Sequence, residues 1–259
     1  MRDDNQQMEN KEFDSKKQVL VVLAKEIEQV LQEIKNQNDL GKKENAENGR
    51  MEFAYVEYYL AEICSLLNLS VYLLGHDAFR KYTYFPARLI MEIVLQLEHV
   101  YSVKKKKGAN GVRRLFFKDI AISAKSSLAW PGEKGKDKIS SHLSFLDITS
   151  KILRLDFKTE NVPAKSNRGI KALCDKSSIV LKNKTGSDLY SFYEVLSESS
   201  HANVMSIGVS NHENDEVGAL EIFTISLELS IRFCEIVISK SGYRQLENGL
   251  GNLKRVAGI

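Results

Sequence analysis

Two stretches of the chain carry polar residues of the types, and at the spacing, that acid–base or phosphate chemistry uses. The first, residues 85–99, reads as a helix with a polar line made of Arg88, Glu92, Gln96 and His99. The second, residues 189–201, has the same spacing of four in Tyr193, Ser197 and His201. If the two lines meet, His201 would be a general base, Arg88 a charge stabiliser and Glu92 a carboxylate partner.

Two interpretations of these lines stay open. The first line could be a plain solvent face, where an exposed Arg88–Glu92 pair contributes about 0.3 kcal/mol. Phe85, Met91 and Leu95 lie in or beside the same sector, however, which favours a helix buried on both sides. A buried cluster would in turn be either a structural network between two helices or a catalytic site made of Arg88, Glu92, Tyr193, Ser197 and His201.

The hydrophobic pattern predicts an all-α fold, a single multi-helix bundle with long central helices. Apolar residues recur at steps of three and four from Leu20 to Ile34, and residues 50–75 are apolar around most of a helix. Only three prolines interrupt the chain of 259 residues. The predicted helices cover 14–36, 50–75, 86–107, 110–130, 140–155, 169–177, 189–200 and 216–240, and no stretch has a strand pattern.

The domain prediction follows from these helices. Residues 1–13 are polar and predicted to be disordered. Residues 14–240 form one helical bundle domain, within which 156–186 could be an insertion or flap. Residues 241–259 form a glycine-rich tail that is partly helical at most.

Composition argues against several classes of protein. Three scattered cysteines indicate buried thiols in a reducing, cytoplasmic setting. The start of the chain lacks the apolar run of a signal peptide, and Glu62 and Asn68 interrupt the most apolar stretch, so we expect no membrane partner. No phosphate-binding loop, nucleophile elbow or metal-spaced histidine set is present, so we expect no cofactor and no metal.

The charge is strongly uneven along the chain. Residues 1–102 have a net charge of −5, residues 103–185 of +13, and residues 186–259 of −5. Such a basic middle could bind RNA or DNA through phosphates, or acidic parts of its own fold or of a second subunit. The candidate nucleic-acid-binding residues are Lys104, Lys105, Lys106, Lys107, Arg113, Arg114 and Lys118.

The motif from Ala87 to Glu92, A-R-x-x-x-E, and the later Y-x-x-L-S-x-x-x-H of Tyr193 to His201 resemble an uncharacterised, prokaryotic, all-helical family. The resemblance covers residues 50–240 and implies a helical fold with a paired-motif site, but no reaction. The chain is also loosely similar to HEPN bundles, which occur in toxin, defence and RNA-processing proteins. Their catalytic Arg is followed four to six residues later by His, a pattern absent from this sequence.

The leading functional prediction is a non-catalytic, cytoplasmic binding or accessory protein whose basic surface contacts nucleic acid or an acidic partner. One alternative is a HEPN-like, metal-independent ribonuclease, in which Arg88 and His201 rebuild the catalytic pair in space. The other is a structural homodimer, with the apolar last helix, residues 216–240, as its interface.

Overall fold

The structure is a computed structural model that describes residues 2–44, 51–127, 133–163, 169–181, 186–200 and 212–258. Helices make up the regular structure of these residues, apart from one bridge residue at Leu181. They pack into one bundle, and the predicted all-α fold is confirmed. The α-helices are α1 (Arg2–Glu44), α2 (Met51–Gly75), α3 (Tyr84–Ser127), α4 (Glu133–Ile152), α5 (Ile170–Cys174), α6 (Gly186–Ser200), α7 (His212–Ser241) and α8 (Glu247–Ala257).

The centre of the bundle is α7, which contacts α1, α2 and α3. Its apolar residues are buried on several sides, as expected for a helix that is hydrophobic around most of its circumference. Phe223 and Phe233 are among the largest fully buried side chains. The apolar surface of this helix fills the core of its own chain, and its use as a dimer interface stays a prediction.

The second core helix, α2, packs between α1, α3 and α7. By length and composition alone, its segment Phe53–Gly75 is apolar enough to cross a membrane, and 44% of its window is buried in the bundle. A helix from the core of a water-soluble bundle meets the same criterion, so this property does not separate the two settings.

A sharp break at Gly108 divides α3 into two helical segments. Gly108 has φ of 64° and ψ of −165°, a conformation that is essentially restricted to glycine. Just beyond the break, a β-carbon at Gly111 would lie 2.4 Å from the Lys107 Cβ, so the two segments approach closely. The break lies where the sequence separated residues 86–107 from residues 110–130.

The second segment of α3 forms a small lobe with α4 and residues 153–163. This lobe has its own core, made of Phe117, Ala121, Leu146, Leu155 and Val162. Asp147 accepts hydrogen bonds from the Thr159 backbone N–H at 2.7 Å and from the Thr159 hydroxyl at 2.6 Å. The Lys125 ammonium donates to the carbonyl oxygens of Thr159 and Val162 at 2.6 and 2.5 Å. These contacts fix the turn after α4 against α3.

Several boundaries differ from the sequence prediction. Within residues 156–186, Leu173, Cys174, Ile179 and Leu181 belong to the main core, and the insertion or flap stays a prediction. Residues 133–138, which were predicted to be a loop, are instead part of the start of α4, which begins at Glu133.

Both ends of the chain are more helical than the sequence predicted. Residues 2–13, predicted to be disordered, begin α1, and Phe13 is buried with the Arg80 guanidinium 4.4 Å from its ring centroid. The predicted tail contains α8, whose Leu250 and Leu253 are buried in the main core. The first turns of α1 have a weak apolar period and depend on tertiary contacts such as that of Phe13 with Arg80. In α8, by contrast, the sequence analysis missed a clear apolar face at helical spacing, which includes Leu250 and Leu253.

Candidate functional site

The two predicted polar lines meet at three residues. The Arg88 Nε donates a hydrogen bond to the Glu92 Oε1 at 3.1 Å. The Tyr193 hydroxyl donates to the same Oε1 at 2.7 Å. The side chains of Arg88 and Glu92 are 20% and 28% exposed. The Arg88–Glu92 pair is therefore neither fully exposed to solvent nor sealed in a dry core. We call Arg88, Glu92 and Tyr193 the Glu92 cluster.

Local helix geometry explains why these side chains meet. On α3, Ala87, Ile90, Met91 and Val94 are buried, and Arg88 and Glu92 lie one turn apart at the edge of that buried face. On α6, Leu189 and Leu196 are buried, and Tyr193 lies between them on the neighbouring edge. Because α3 and α6 pack against each other, their polar edges face each other.

The electrostatics of the cluster hold Tyr193 in its neutral form. Burial, the hydrogen bond to Glu92 and the charge of Glu92 together raise the pKa of Tyr193 to about 12, although Arg88 acts in the opposite direction. A phenol with this pKa is a hydrogen-bond donor at neutral pH and not a nucleophile or a general base. In the cluster, the Glu92 carboxylate is held between the Arg88 guanidinium and the Tyr193 hydroxyl, which donates to it.

Of the predicted catalytic residues, Arg88, Glu92 and Tyr193 are joined to one another by hydrogen bonds. Ser197 lies one turn beyond Tyr193 on α6 and is half-buried. His201 lies outside the described residues. On the first line, Gln96 and His99 are half-buried on α3.

The aromatic surroundings of the cluster were missed by the sequence analysis. The rings of Tyr190 and Tyr193 are stacked, with centroids 6.3 Å apart and planes inclined by 20°. The Lys171 ammonium from α5 lies 5.7 Å from the Tyr190 centroid. The spacing of three between the tyrosines is a signal for a shared helix face, but nothing in the sequence connects Lys171 to it.

The candidate nucleic-acid-binding residues surround the break in α3. Lys105, Lys106, Lys107 and Arg114 are exposed, whereas Lys104, Arg113 and Lys118 are half-buried. The Arg113 Nη1 donates to the Asn110 Oδ1 at 3.3 Å, and the Arg114 Nη1 lies 4.0 Å from an Asp156 oxygen.

A carboxylate that the sequence analysis did not single out, Glu98, holds the chain after α5 against α3. Its Oε2 accepts from the Ser177 hydroxyl at 2.5 Å, and its Oε1 accepts from the Ser178 N–H at 2.7 Å and from the Ser178 hydroxyl. All these contacts join residues far apart in sequence, so no local pattern predicts them. The Glu98 contacts explain why this segment is docked.

Across the described ranges, no three histidine, cysteine, aspartate or glutamate side chains are grouped closely enough to hold a metal ion. The resemblance of the A-R-x-x-x-E and Y-x-x-L-S-x-x-x-H motifs to a helical family stays a prediction. No protein-family model, curated protein or solved structure matches this chain.

Proposed function

We propose that the chain is a non-catalytic binding protein that contacts the phosphates of nucleic acid through a basic surface on α3. The observation that carries the proposal is a run of three exposed lysines, Lys105, Lys106 and Lys107, at the break in the helix. We call them the lysine cluster. Among the described residues, no carboxylate forms an ion pair with them, which leaves their charge available to a polyanion.

The neighbouring groups support a phosphate-binding role. Asp119, the acidic residue on this part of α3, accepts a hydrogen bond from the Tyr55 hydroxyl at 2.7 Å, so it is engaged with α2. Phe117 is buried in the small lobe, and the Phe116 ring packs edge-on against Tyr55 at 5.3 Å. Because these aromatic rings are used in packing, we expect phosphate contacts without base stacking, and hence little sequence preference.

Fluorescence anisotropy tests this proposal with labelled RNA and duplex DNA of about 20 nucleotides, titrated between roughly 50 and 200 mM salt. The variant Lys105→Gln/Lys106→Gln/Lys107→Gln should bind both probes more weakly. It should also lower the slope of log affinity against log salt by about 2 to 3. The matched control, Lys25→Gln/Lys35→Gln/Lys176→Gln, removes three exposed lysines elsewhere and should keep the wild-type slope.

Equal losses in the two triple variants would mean that net charge, and not the lysine cluster, attracts the nucleic acid. Poly-glutamate competes for the same cations and serves as the second probe. Binding of poly-glutamate without binding of either nucleic acid would reassign the surface to an acidic protein partner.

The Glu92 cluster supports a second candidate function, a metal-independent ribonuclease of the HEPN-like kind. Its motivation is that Arg88, Glu92 and Tyr193 converge and remain partly exposed. Incubation of single-stranded RNA with wild type in the presence of a chelator tests it. Cleavage that Glu92→Gln abolishes, while the affinity for RNA is unchanged, would establish the enzyme. Absence of cleavage by wild type would leave the cluster as a connection between α3 and α6.

A further inference from the structure

The outer side of α4 carries a line of large apolar side chains in water. Phe145, Ile148 and Ile152 are 63%, 57% and 74% exposed. They follow one another at steps of three and four, so they lie on one face of the helix. We call these three residues the α4 stripe.

The stripe is a second apolar face, separate from the one that holds α4 in the fold. The inner side of α4 packs Leu143 and Leu146 into the core of the small lobe. A surface helix normally has one apolar face, directed to the core. A second face that remains exposed on a docked helix is typical of an interaction site.

The small lobe holds α4 in place, so the stripe is already formed before any partner binds. On the inner side, Asp147 is engaged with Thr159, and the Ser150 hydroxyl donates to the Phe157 carbonyl oxygen at 3.0 Å. The end of the helix is closed by the Leu155 N–H, which donates to the Ser150 carbonyl oxygen at 2.8 Å. A preformed surface of this kind costs little ordering entropy on binding.

Positive charge surrounds the stripe. Lys138, Lys151 and Arg154 are all exposed on or next to this side of α4. Asp147 is turned to Thr159, and the exposed Asp137 lies about two helical turns before Phe145. The exposed Asp156 follows Arg154 by two residues and lies 4.0 Å from the Arg114 guanidinium. An occupant with acidic residues beside its apolar ones would match this surface in charge.

The spacing and the charge together select the occupant. Apolar anchors at steps of three and four are the pattern by which one helix packs on another. Three side chains supply less than the area of about 1,000 Å² that a stable dimer needs, so a short helix of a transient partner fits the stripe better than a permanent dimer does. Pairing with a second copy would also bring two positively charged surfaces together, for example Lys151 against its counterpart in a parallel arrangement.

We propose that the α4 stripe docks an acidic amphipathic helix of a partner protein. Leucine or similar side chains of that helix cover Phe145, Ile148 and Ile152, and its glutamates or aspartates face Lys151 and Arg154. This interaction goes beyond nucleic-acid binding and uses a different surface from the lysine cluster, so each can fail without the other.

A designed peptide of about five helical turns serves as the probe, with leucines at steps of three and four and glutamates on both sides of them. Its affinity is measured by fluorescence anisotropy with the full chain. Phe145→Ser/Ile148→Ser should weaken binding by at least about tenfold. The control Val19→Ser/Val22→Ser, which removes two exposed valines from α1, should bind as wild type does. Both stripe positions are exposed, so circular dichroism should show an unchanged helix content.

Charge reversal distinguishes specific docking from non-specific hydrophobic binding. Lys151→Glu/Arg154→Glu should have a lower affinity for the glutamate-flanked peptide and a higher affinity for a lysine-flanked peptide of the same apolar sequence. Lys105→Gln/Lys106→Gln/Lys107→Gln should keep the affinity for the glutamate-flanked peptide. Equal binding of both peptides by wild type, or an unchanged affinity in Phe145→Ser/Ile148→Ser, would overturn the proposal.

Two further results would also overturn it by assigning another occupant. The stripe would be a lipid-binding surface if wild type sediments with phosphatidylcholine vesicles containing about one quarter phosphatidylserine and Phe145→Ser/Ile148→Ser does not. A dimer by light scattering that Phe145→Ser/Ile148→Ser converts to a monomer would make it a self-association surface.

Discussion

The Tyr193 hydroxyl on α6 and the Glu92 carboxylate on α3 lie 2.7 Å apart and share a hydrogen bond. The acceptor atom, Oε1, is the same one that receives the hydrogen bond from the Arg88 Nε. One carboxylate oxygen therefore joins a neighbour on its own helix to a residue on a second helix, 101 positions away in sequence. The packing of α6 on α3 depends in part on this oxygen.

The first prediction is that Tyr193→Phe lowers the free energy of unfolding by about 1 kcal/mol at pH 7 to 9, because it removes one partly buried hydrogen bond to a carboxylate. The pKa of Tyr193 is raised to about 12 in the fold, against an ordinary value of about 10. The folded state therefore holds the proton more tightly. Stability from this group is fully present below pH 10 and is lost as the pH rises towards 12.

Urea unfolding of wild type and Tyr193→Phe at several pH values measures this difference, which should narrow above pH 10. Tyr58→Phe is the control, since Tyr58 is an exposed tyrosine on another helix, α2, and this variant should follow wild type at every pH. A difference between wild type and Tyr193→Phe that is constant up to pH 12 would contradict the assigned hydrogen bond.

The second prediction concerns the Glu98 contacts. Glu98→Ala should lower the free energy of unfolding by about 1 to 2 kcal/mol, because the Ser178 N–H and two hydroxyls lose their charged acceptor. Glu98→Gln keeps one carbonyl acceptor and should lower the free energy of unfolding by less than Glu98→Ala does. Hydrogen exchange provides the local measurement: the amide of Ser178 should exchange faster in Glu98→Ala, whereas the amides of α7 should change only with global stability. Unchanged exchange at Ser178 would show that Glu98 does not hold this segment.

Sequence reasoning succeeded where a local pattern carries the information. The three- and four-residue steps from Leu20 to Ile34 predicted α1, and the glycine after four lysines predicted the break at Gly108. The helical spacing of Arg88, Glu92 and Tyr193 selected the edge of each helix on which the cluster forms. In each case neighbours within one or two turns determine the outcome.

It failed where contacts between distant segments decide the structure. The first turns of α1 have no clear apolar period. Arg80 holds this end of the fold by lying over the Phe13 ring, donating to Glu216 and pairing with Asp77 at 2.5 Å. Arg80 and Glu216 are 136 residues apart, so no local sequence pattern predicts their contact. The same holds for Glu98 with Ser178.

The third prediction links pH to the docking of α8 on α7. Burial alone would raise the pKa of Glu235, but hydrogen bonds from Arg232 at 2.7 Å and Lys254 at 3.0 Å outweigh burial and lower it. The folded state therefore favours the ionised form. Stability from this group is present above the ordinary pKa of about 4.3 and is lost as the pH falls through the lower folded value.

Lys254→Met removes one of the two donors to Glu235 and keeps most of the side-chain volume. We expect a loss of about 0.5 to 1 kcal/mol at pH 7, because solvent partly screens the pair. The difference between wild type and Lys254→Met should shrink towards pH 3 in urea unfolding. Lys240→Met, at an exposed lysine near the end of α7, is the control and should follow wild type at every pH. A pH-independent difference for Lys254→Met would point to lost packing by the lysine stem instead.

The last prediction concerns Gly108 and the shape of α3. Its φ of 64° and ψ of −165° lie in a region that residues with a β-carbon avoid, although open space surrounds the position. Gly108→Ala should therefore lower the free energy of unfolding by about 1 to 3 kcal/mol through backbone strain. Gly75→Ala is the control, because Gly75 also lies in open space but has an ordinary φ, and it should change stability by less than about 1 kcal/mol. If Gly108→Ala is instead as stable as wild type, α3 has straightened. Spin labels at exposed Tyr58 and Phe145 would then report a changed distance between α2 and the small lobe.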